Sequence, residues 1–353
     1  MLFSEATVVL ADPEKLTADL VDHMSAHDVA HDRDGDRVVA HLAVGTGILE
    51  PAGSVLRVRV EAQDEGGLEM LRALLAANIV DFAEGEEPVI VWSGFAAGAA
   101  TFANFRELRL VASEALTPRL RRLTFSGTDL GRFASAEDLH VRLYLPPPGV
   151  RRPEWPRPGP DGRTLWPDAP LCPEVRYYTI RRAHSDSGEI DFVLHDDPGP
   201  GARFALEARP GAVCGSAGPM GRAAPPAAWT LLAGDETALP AIARMLEAMP
   251  PQASGVVLIE ADEAEAGYPL AAPEGVSVRW LDHGPESPLC SAIRALDFPE
   301  GDDLFVWVGC ETGAARSLRK HLRSERGLTR ERHLVVGYWE RAEEPAEEPV
   351  TSG

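Results

Sequence analysis

The sequence predicts three units in a row: a small α+β module, an antiparallel β-barrel, and an α/β domain on a parallel sheet. Three observations carry this. Residues 1–97 mix helical spacing with short alternating runs. Residues 101–226 hold short strand-like runs separated by Pro and Gly. From residue 227 to 341, buried strand-like runs alternate with helical ones.

The first unit reads as follows. Leu16–Met24 has helical spacing, with Pro13 near its start. Val29–Asp32, Val38–Val44 and Val55–Val60 read as strands, with a hairpin turn at Asp32–Asp36. Leu68–Phe82 is a second helix and Val89–Trp92 a closing strand. Gly94–Ala100, rich in Gly and Ala, reads as the linker. His23, His27 and His31 stand four apart, a spacing that would put three imidazoles on one helix face as metal ligands. The strand at Val29–Asp32 breaks that face, so a structural or docking module with no metal is expected.

In the second unit the strand runs are Leu108–Val111, Arg122–Phe125, Leu139–Leu145, Tyr177–Arg181 and Ile190–Leu194. Many short strands at close spacing predict a small antiparallel barrel. Pro146–Pro173 interrupts it. Proline fixes φ and removes a donor, so this stretch reads as a loop insertion.

The third unit changes rhythm. Strands are predicted at Trp229–Ala233, Val256–Glu260, Val276–Leu281, Leu304–Val308 and His333–Trp339. Helices are predicted at Leu239–Met249, Ser287–Leu296 and Ala315–Arg326. Such alternation implies a parallel sheet covered on both faces. Residues 342–353, with acids from Glu343 to Glu348, read as a disordered acidic tail.

Composition narrows the function classes. With 353 residues, two or three domains are expected. Hydrophobic residues at 44% and charged residues at 25% describe a globular chain with a real core. Thirty prolines and 32 glycines argue against an all-helical fold. No run is long and apolar enough to span a membrane, and the N-terminus has no basic leader region. A cytoplasmic protein without membrane insertion is expected. The formal net charge of −21 argues against nucleic acid, whose binders need a basic face. Cys172, Cys214, Cys290 and Cys310 all lie more than four residues apart, which excludes a local CxxC metal motif and gives no disulfide framework.

Four motifs carry chemistry. The first is Arg176-Tyr177-Tyr178-Thr179-Ile180-Arg181. Alternate strand residues share a face, so Arg176, Tyr178 and Ile180 point one way and Tyr177, Thr179 and Arg181 the other. A flavin needs an aromatic on its ring, a hydroxyl near its reactive nitrogen and a cation for its pyrophosphate. The competing reading is a surface strand with charged ends. The second motif is Asp191–His195 followed by Gly199-Pro200-Gly201-Ala202-Arg203. A Gly-rich turn into a helix presents backbone N–H groups that suit a phosphate; an ordinary strand–turn–helix has the same pattern. The third is Leu231–Pro240, where a strand ends at Gly234 and Asp235 or Thr237 can cap the next helix. Open α/β sheets bind ligands at such strand ends, although a capped helix can equally bind nothing. The fourth is Val306–Gly313, a strand end that would turn Cys310 and Glu311 toward a cleft, or leave a buried thiol and a surface acid.

In this order the four motifs, together with the terminal Gly337-Tyr338-Trp339, resemble the siderophore-interacting protein family of ferric-siderophore reductases. That family is similar to the ferredoxin-reductase superfamily, with an FAD-binding barrel followed by a nicotinamide-binding domain. The resemblance covers residues 102–340. It implies that Arg176, Tyr178, Thr179, Ile180 and Arg181 hold the flavin, His195 contacts FAD, and Gly199, Pro200, Gly201 and Ala202 cradle its pyrophosphate. Asp235, Glu236, Thr237 and Ala238 would border NADH or NADPH. Tyr178, Thr179 and Glu311 are the implied catalytic residues. Arg142, Arg203 and Arg341 would steer an anionic ferric siderophore or other ferric chelate.

The resemblance implies NAD(P)H-dependent, FAD-mediated reduction of that chelate. Two alternatives stand beside it: a flavin reductase for another acceptor, and a non-catalytic siderophore- or flavin-binding protein. Gly309-Cys310-Glu311 replaces the family's usual Ala-Gly-Glu, and Glu340 precedes Arg341 where the family often has Arg. Glu260 favours NADH by hydrogen-bonding a ribose hydroxyl, while Arg279 on the next strand would favour NADPH. Residues 1–97 resemble a small uncharacterised domain fused to such reductases.

Overall fold

The computed structural model describes residues 1–27, 29–42, 44–95, 101–195, 198–284 and 287–340. Residues 96–100 of the expected linker, Arg341 and the acidic tail lie outside the described residues. The chain divides into two compact units. One is Met1–Phe105 with Pro146–Pro173, and the other is Arg106–Leu145 with Glu174–Gly353.

In the first unit the elements are β1 (Leu2–Val9), α1 (Pro13–Ala26), β2 (Ala30–Asp34), β3 (Arg37–Leu42), β4 (Gly45–Ala52), β5 (Val55–Ala62), α2 (Glu65–Phe82) and β6 (Trp92–Gly94). The six strands form one antiparallel sheet in the order β2-β3-β4-β5-β1-β6. Asp12 and Asp64 accept from the N–H groups of Lys15 and Gly67, capping α1 and α2 at 2.9 and 2.8 Å. Ala6, Val8, Val58 and Val60 pack beneath Leu20, Leu71, Leu75 and Ile79. The other face carries ion pairs, including Arg37–Glu50 and Arg59 with Glu5 and Glu61. The closing strand is Trp92–Gly94 rather than Val89–Trp92. His27 caps α1, and His31 lies on β2 with its Nδ1 3.0 Å from the Val29 carbonyl.

The barrel strands are β7 (Phe105–Ala115), β8 (Leu120–Ser126) and β9 (Asp138–Leu145). After the insertion, with its two-residue strands β10 (Arg157–Pro158) and β11 (Thr164–Leu165), come β12 (Glu174–Ala183), β13 (Ser187–Val193) and β14 (Val213–Arg222). They close in the order β12-β13-β8-β7-β14-β9. Leu110, Leu123, Phe125, Val141, Leu143, Ile190 and Phe192 fill the interior. Helix α3 (Pro200–Glu207) lies between β13 and β14 in the chain.

The α/β domain runs β15 (Trp229–Asp235), α4 (Leu239–Ala248), β16 (Ser254–Glu260), β17 (Val276–Leu281), α5 (Pro288–Ala295), β18 (Leu304–Glu311), α6 (Thr312–Ser324) and β19 (His333–Trp339). All pairings are parallel, in the order β17-β16-β15-β18-β19. Separate apolar cores cover the two faces, as a buried parallel sheet requires. Strand order reverses between β15 and β18, which places the ligand crevice at the carboxyl ends Gly234–Asp235 and Gly309–Cys310. No helix among the described residues is long and apolar enough to cross a membrane.

Candidate active site

Barrel and α/β domain form one body, held by polar bonds between them. Arg181 on β12 is fully buried and makes a bidentate pair with Glu247 on α4, at 2.8 and 2.5 Å. Arg244 of α4 donates to the carbonyls of Ile180 and Phe133, both at 2.7 Å. Asp191 on β13 takes both nitrogens of Arg122 and, at 2.6 Å, the hydroxyl of Tyr268. Glu265 accepts from the Thr117 hydroxyl and the Arg119 N–H. Buried charges persist only when paired in this way.

The motif strand β12 splits its residues between two faces. Tyr178 lies against Phe192, ring centroids 4.3 Å apart. Its hydroxyl sits over the first turn of α3, where a Cβ on Gly201 would come within 1.8 Å of the oxygen. Only glycine permits that approach. No described residue bonds the Tyr178 hydroxyl. Burial raises its pKa, so it stays a donor at neutral pH. Gly199 begins α3 without a side-chain cap, leaving first-turn N–H groups aimed outward. Exposed Arg176 pairs with Glu174 at 3.2 Å, and Arg203 of α3 approaches the same carboxylate at 3.8 Å. His195 is exposed at the end of this segment. An unbonded hydroxyl, uncapped helix N–H groups and nearby guanidinium groups fit a pyrophosphate-bearing cofactor.

The second face was only partly legible. Directly opposed antiparallel residues share a face, and β12 pairs Tyr177 with Arg142 and Thr179 with His140 on β9. Tyr177 is 66% exposed, large for an aromatic. Arg142 is half-buried with a buried Nε that meets no described partner. The His140 Nε2 lies 2.6 Å from the Tyr338 hydroxyl of β19, their rings edge to face at 5.3 Å. Gly221 leaves room for that imidazole, since a Cβ there would lie 2.1 Å from Nδ1. Burial, reinforced by Arg244, pulls His140 down to about 4, so the imidazole beside the Tyr338 hydroxyl is neutral. The two-residue repeat of a strand face, taken with the pairing of β12 to β9, is the signal that joins Tyr177 and Thr179 to Arg142 and His140.

At the sheet crevice the expected residues come together with tasks of their own. The Asp235 carboxylate caps the turn to α4 by accepting from the Thr237 N–H at 3.0 Å, and accepts from Trp339 Nε1 at 2.8 Å. Burial raises the pKa of both Asp235 and Glu236. Ala238 is buried, and its Cβ stands where a side chain on Gly234 would be, 2.4 Å away. Glu311 caps α6 by accepting from the Ala314 N–H at 2.9 Å. Glu260 accepts from the Ser287 hydroxyl and Leu289 N–H, and its other oxygen faces His283 at 3.4 Å. Cys310 is buried in the sheet core, and burial raises its pKa.

Arg181, which the resemblance assigned to the flavin, pairs here with a carboxylate of α4. The register of β12 against β13 shifts between Ile180 and Arg182, and the Arg181 guanidinium is held by Glu247. Ile180 points into the barrel core.

A closed antiparallel barrel joined to a parallel sheet is the architecture of a two-domain flavoprotein oxidoreductase. The model of the siderophore-interacting FAD-binding domain matches residues 109–223, and that of the siderophore-interacting protein matches 227–342. Residues 5–93 match an uncharacterized protein domain conserved in bacteria, DUF2218. The chain is 34% identical over 245 residues to the ferric vibriobactin reductase ViuB of Vibrio cholerae, covering 67% of this chain and 89% of that one. Among solved structures, a siderophore utilization protein from T. fusca shares 38% identity at a TM-score of 0.58, covering 67% of this chain and 93% of that one. SipS from Aeromonas hydrophila shares 31% identity at a TM-score of 0.59, covering 68% and 93%. The chain belongs to the siderophore-interacting protein family.

Proposed function

We propose that the protein reduces ferric siderophores, taking electrons from NADH or NADPH through FAD and releasing ferrous iron. The observation that carries this is the shared face of Arg142, Tyr177, Thr179 and His140, bonded to Tyr338 of the second domain. It supports a site where an anionic chelate can approach an aromatic and hydroxyl-bearing strand. FAD, when bound, supplies the change from a two-electron hydride donor to a one-electron acceptor. Each hydride then serves two ferric ions and leaves one proton in solution. Ferrous iron is held more weakly by hard oxygen chelators, which favours release.

The chain's own groups bind, orient and steer. Gly199, Pro200, Gly201 and Ala202, with the N–H groups of α3, hold the pyrophosphate, assisted by the Tyr178 hydroxyl and Arg176. Thr179 offers a hydroxyl to the flavin ring, Ile180 supports β12 from within, and His195 meets the far end of FAD. Asp235, Glu236, Thr237, Ala238 and Glu311 border the donor. The acidic crevice favours a nicotinamide, whose oxidised ring is cationic. Arg142 and Arg203 draw the chelate by charge. One observation favours a second acceptor class, such as free flavin: Glu340, which approaches Arg316 at 4.0 Å, stands where a cation would follow Trp339.

Initial rates with a ferrous trap test the assignment. Arg142→Ala should raise the KM for an anionic ferric siderophore about tenfold, on the scale of one lost charge contact, and leave the KM for NADH unchanged. Equal effects on both would remove Arg142 from the acceptor site.

A further inference from the structure

The proposed electron path uses no residue of the N-terminal module, yet the module packs with one stretch of chain that leaves and re-enters the barrel. Insertion 146–173 leaves the barrel after Leu145 of β9 and returns at Glu174 of β12, and it packs with residues 1–105. Its short strands β10 and β11 make a hairpin whose turn is closed by the Gly159 N–H to Arg163 carbonyl bond at 2.7 Å and the Gly162 N–H to Gly159 carbonyl bond at 3.0 Å. Asp161 braces the turn by accepting from the Arg163 Nε at 2.6 Å. The tip meets Trp92 of β6. The Trp92 indole donates to the Asp161 carbonyl at 2.8 Å, although that ring is 6% exposed and belongs to the module's core. Gly162 has φ +89°, and a Cβ on it would lie 2.5 Å from Trp92 Nε1. A second contact joins Trp155 to Phe105, ring centroids 5.5 Å apart.

A proline-rich stretch of this length has few internal hydrogen bonds to order it. Here a core tryptophan of another element supplies the missing partner. The consequence follows from connectivity. Leu145 and Glu174, the roots of the insertion, are themselves paired, and three residues inward on each strand stand Arg142 and Tyr177.

We propose that the N-terminal module clamps the barrel insertion through Trp92, and so positions the ends of β9 and β12 that carry Arg142 and Tyr177. Trp92 is a positioning residue that acts through the insertion. The second half of the proposal rests on the acceptor site assigned above.

Limited trypsinolysis of the full FAD-loaded chain tests the clamp. The bonds after Arg152 and Arg157 precede prolines and resist trypsin, whereas those after Arg151 and Arg163 do not. Trp92→Phe keeps a ring and removes the donor. Gly162→Ala drives a methyl into the indole. Each should speed cleavage after Arg163 at least fivefold while the thermal unfolding midpoint of the bulk chain stays in place. The double variant should cleave no faster than Trp92→Phe alone, because the smaller ring makes room for the methyl; backbone strain at Gly162 by itself would add instead. Each single variant should also raise the KM for a ferric chelate several-fold with the NADH KM unchanged. Unchanged cleavage overturns the clamp, and faster cleavage with an unchanged chelate KM overturns the positioning. If no ferric chelate is reduced by any form, the proposed function fails and the cleavage rates still decide the clamp.

Discussion

Single residues set the closest contacts of the site. Gly201 is the sharpest case, because a methyl there has no room beside the Tyr178 oxygen. Gly201→Ala should destabilise the fold by about 1–3 kcal/mol through overpacking, and should lower FAD retention on a desalting column. Full retention with an unchanged unfolding midpoint would show that Tyr178 swings away freely. His140 carries a pH signature. Its folded pKa of about 4 lies below the ordinary histidine value, so the unfolded chain takes up the proton first. Stability is therefore complete above about pH 6.5 and falls as pH drops toward 4, by at most about 1.4 kcal/mol per unit. Urea midpoints from pH 7 to 4.5 should fall less steeply in His140→Gln than in the parent. Parallel curves would mean that burial does not hold the imidazole neutral. At this scale the alternation of β12 was legible: Arg176 and Tyr178 do lie opposite Tyr177 and Thr179. The fate of Arg181 was not, because its partner Glu247 lies 66 residues away on another element.

Elements were readable where their inward residues are large. Every strand and helix of the α/β domain announced itself, since a sheet buried on both faces is written as continuous apolar runs. Three strands gave no such signal. β1 turns Ser4, Ala6 and Val8 inward and leaves Phe3 and Val9 outward, which inverts the usual contrast. β4 opens with Gly45 and Gly47, which carry no apolar side chain to mark a strand face; both sit where a Cβ would press on Leu71 or Leu75 of α2. β14 is VCGSAGPMGR, small enough for a narrow barrel and indistinguishable from a loop in sequence. The join between β12 and α4 offers a prediction at this scale. Its Arg181 is buried and Glu247 is held down to about 2 by the two arginines it faces. Glu247→Gln leaves a buried guanidinium without its counter-charge and should cost roughly 3 kcal/mol, read as a lower urea midpoint. Because the pKa is depressed, the parent keeps this contribution above the ordinary glutamate range and loses it as pH falls toward 2, whereas the variant has none to lose. A variant as stable as the parent at neutral pH would show the pair to be dispensable.

At the scale of the whole molecule, barrel and sheet are one body because four buried polar networks cross their junction. The proposed flavin and nicotinamide sites would need that fixed relation, since electron and hydride transfer depend on distance and angle. The order of the units, the Gly-Pro turn into α3 and the strand ends of the parallel sheet were legible from the chain alone. The attachment of the insertion to the N-terminal module was not, because a proline-rich loop shows no face and its partner Trp92 precedes it by 69 residues. The most direct test of the central reading is an anaerobic titration of the FAD-loaded protein, followed at the flavin absorbance band. NADH or NADPH should bleach the band, and a ferric siderophore added afterwards should restore it while ferrous iron appears in a trap at two per donor consumed. A band that neither nucleotide bleaches, or a bleached band that the chelate leaves unchanged, would contradict it.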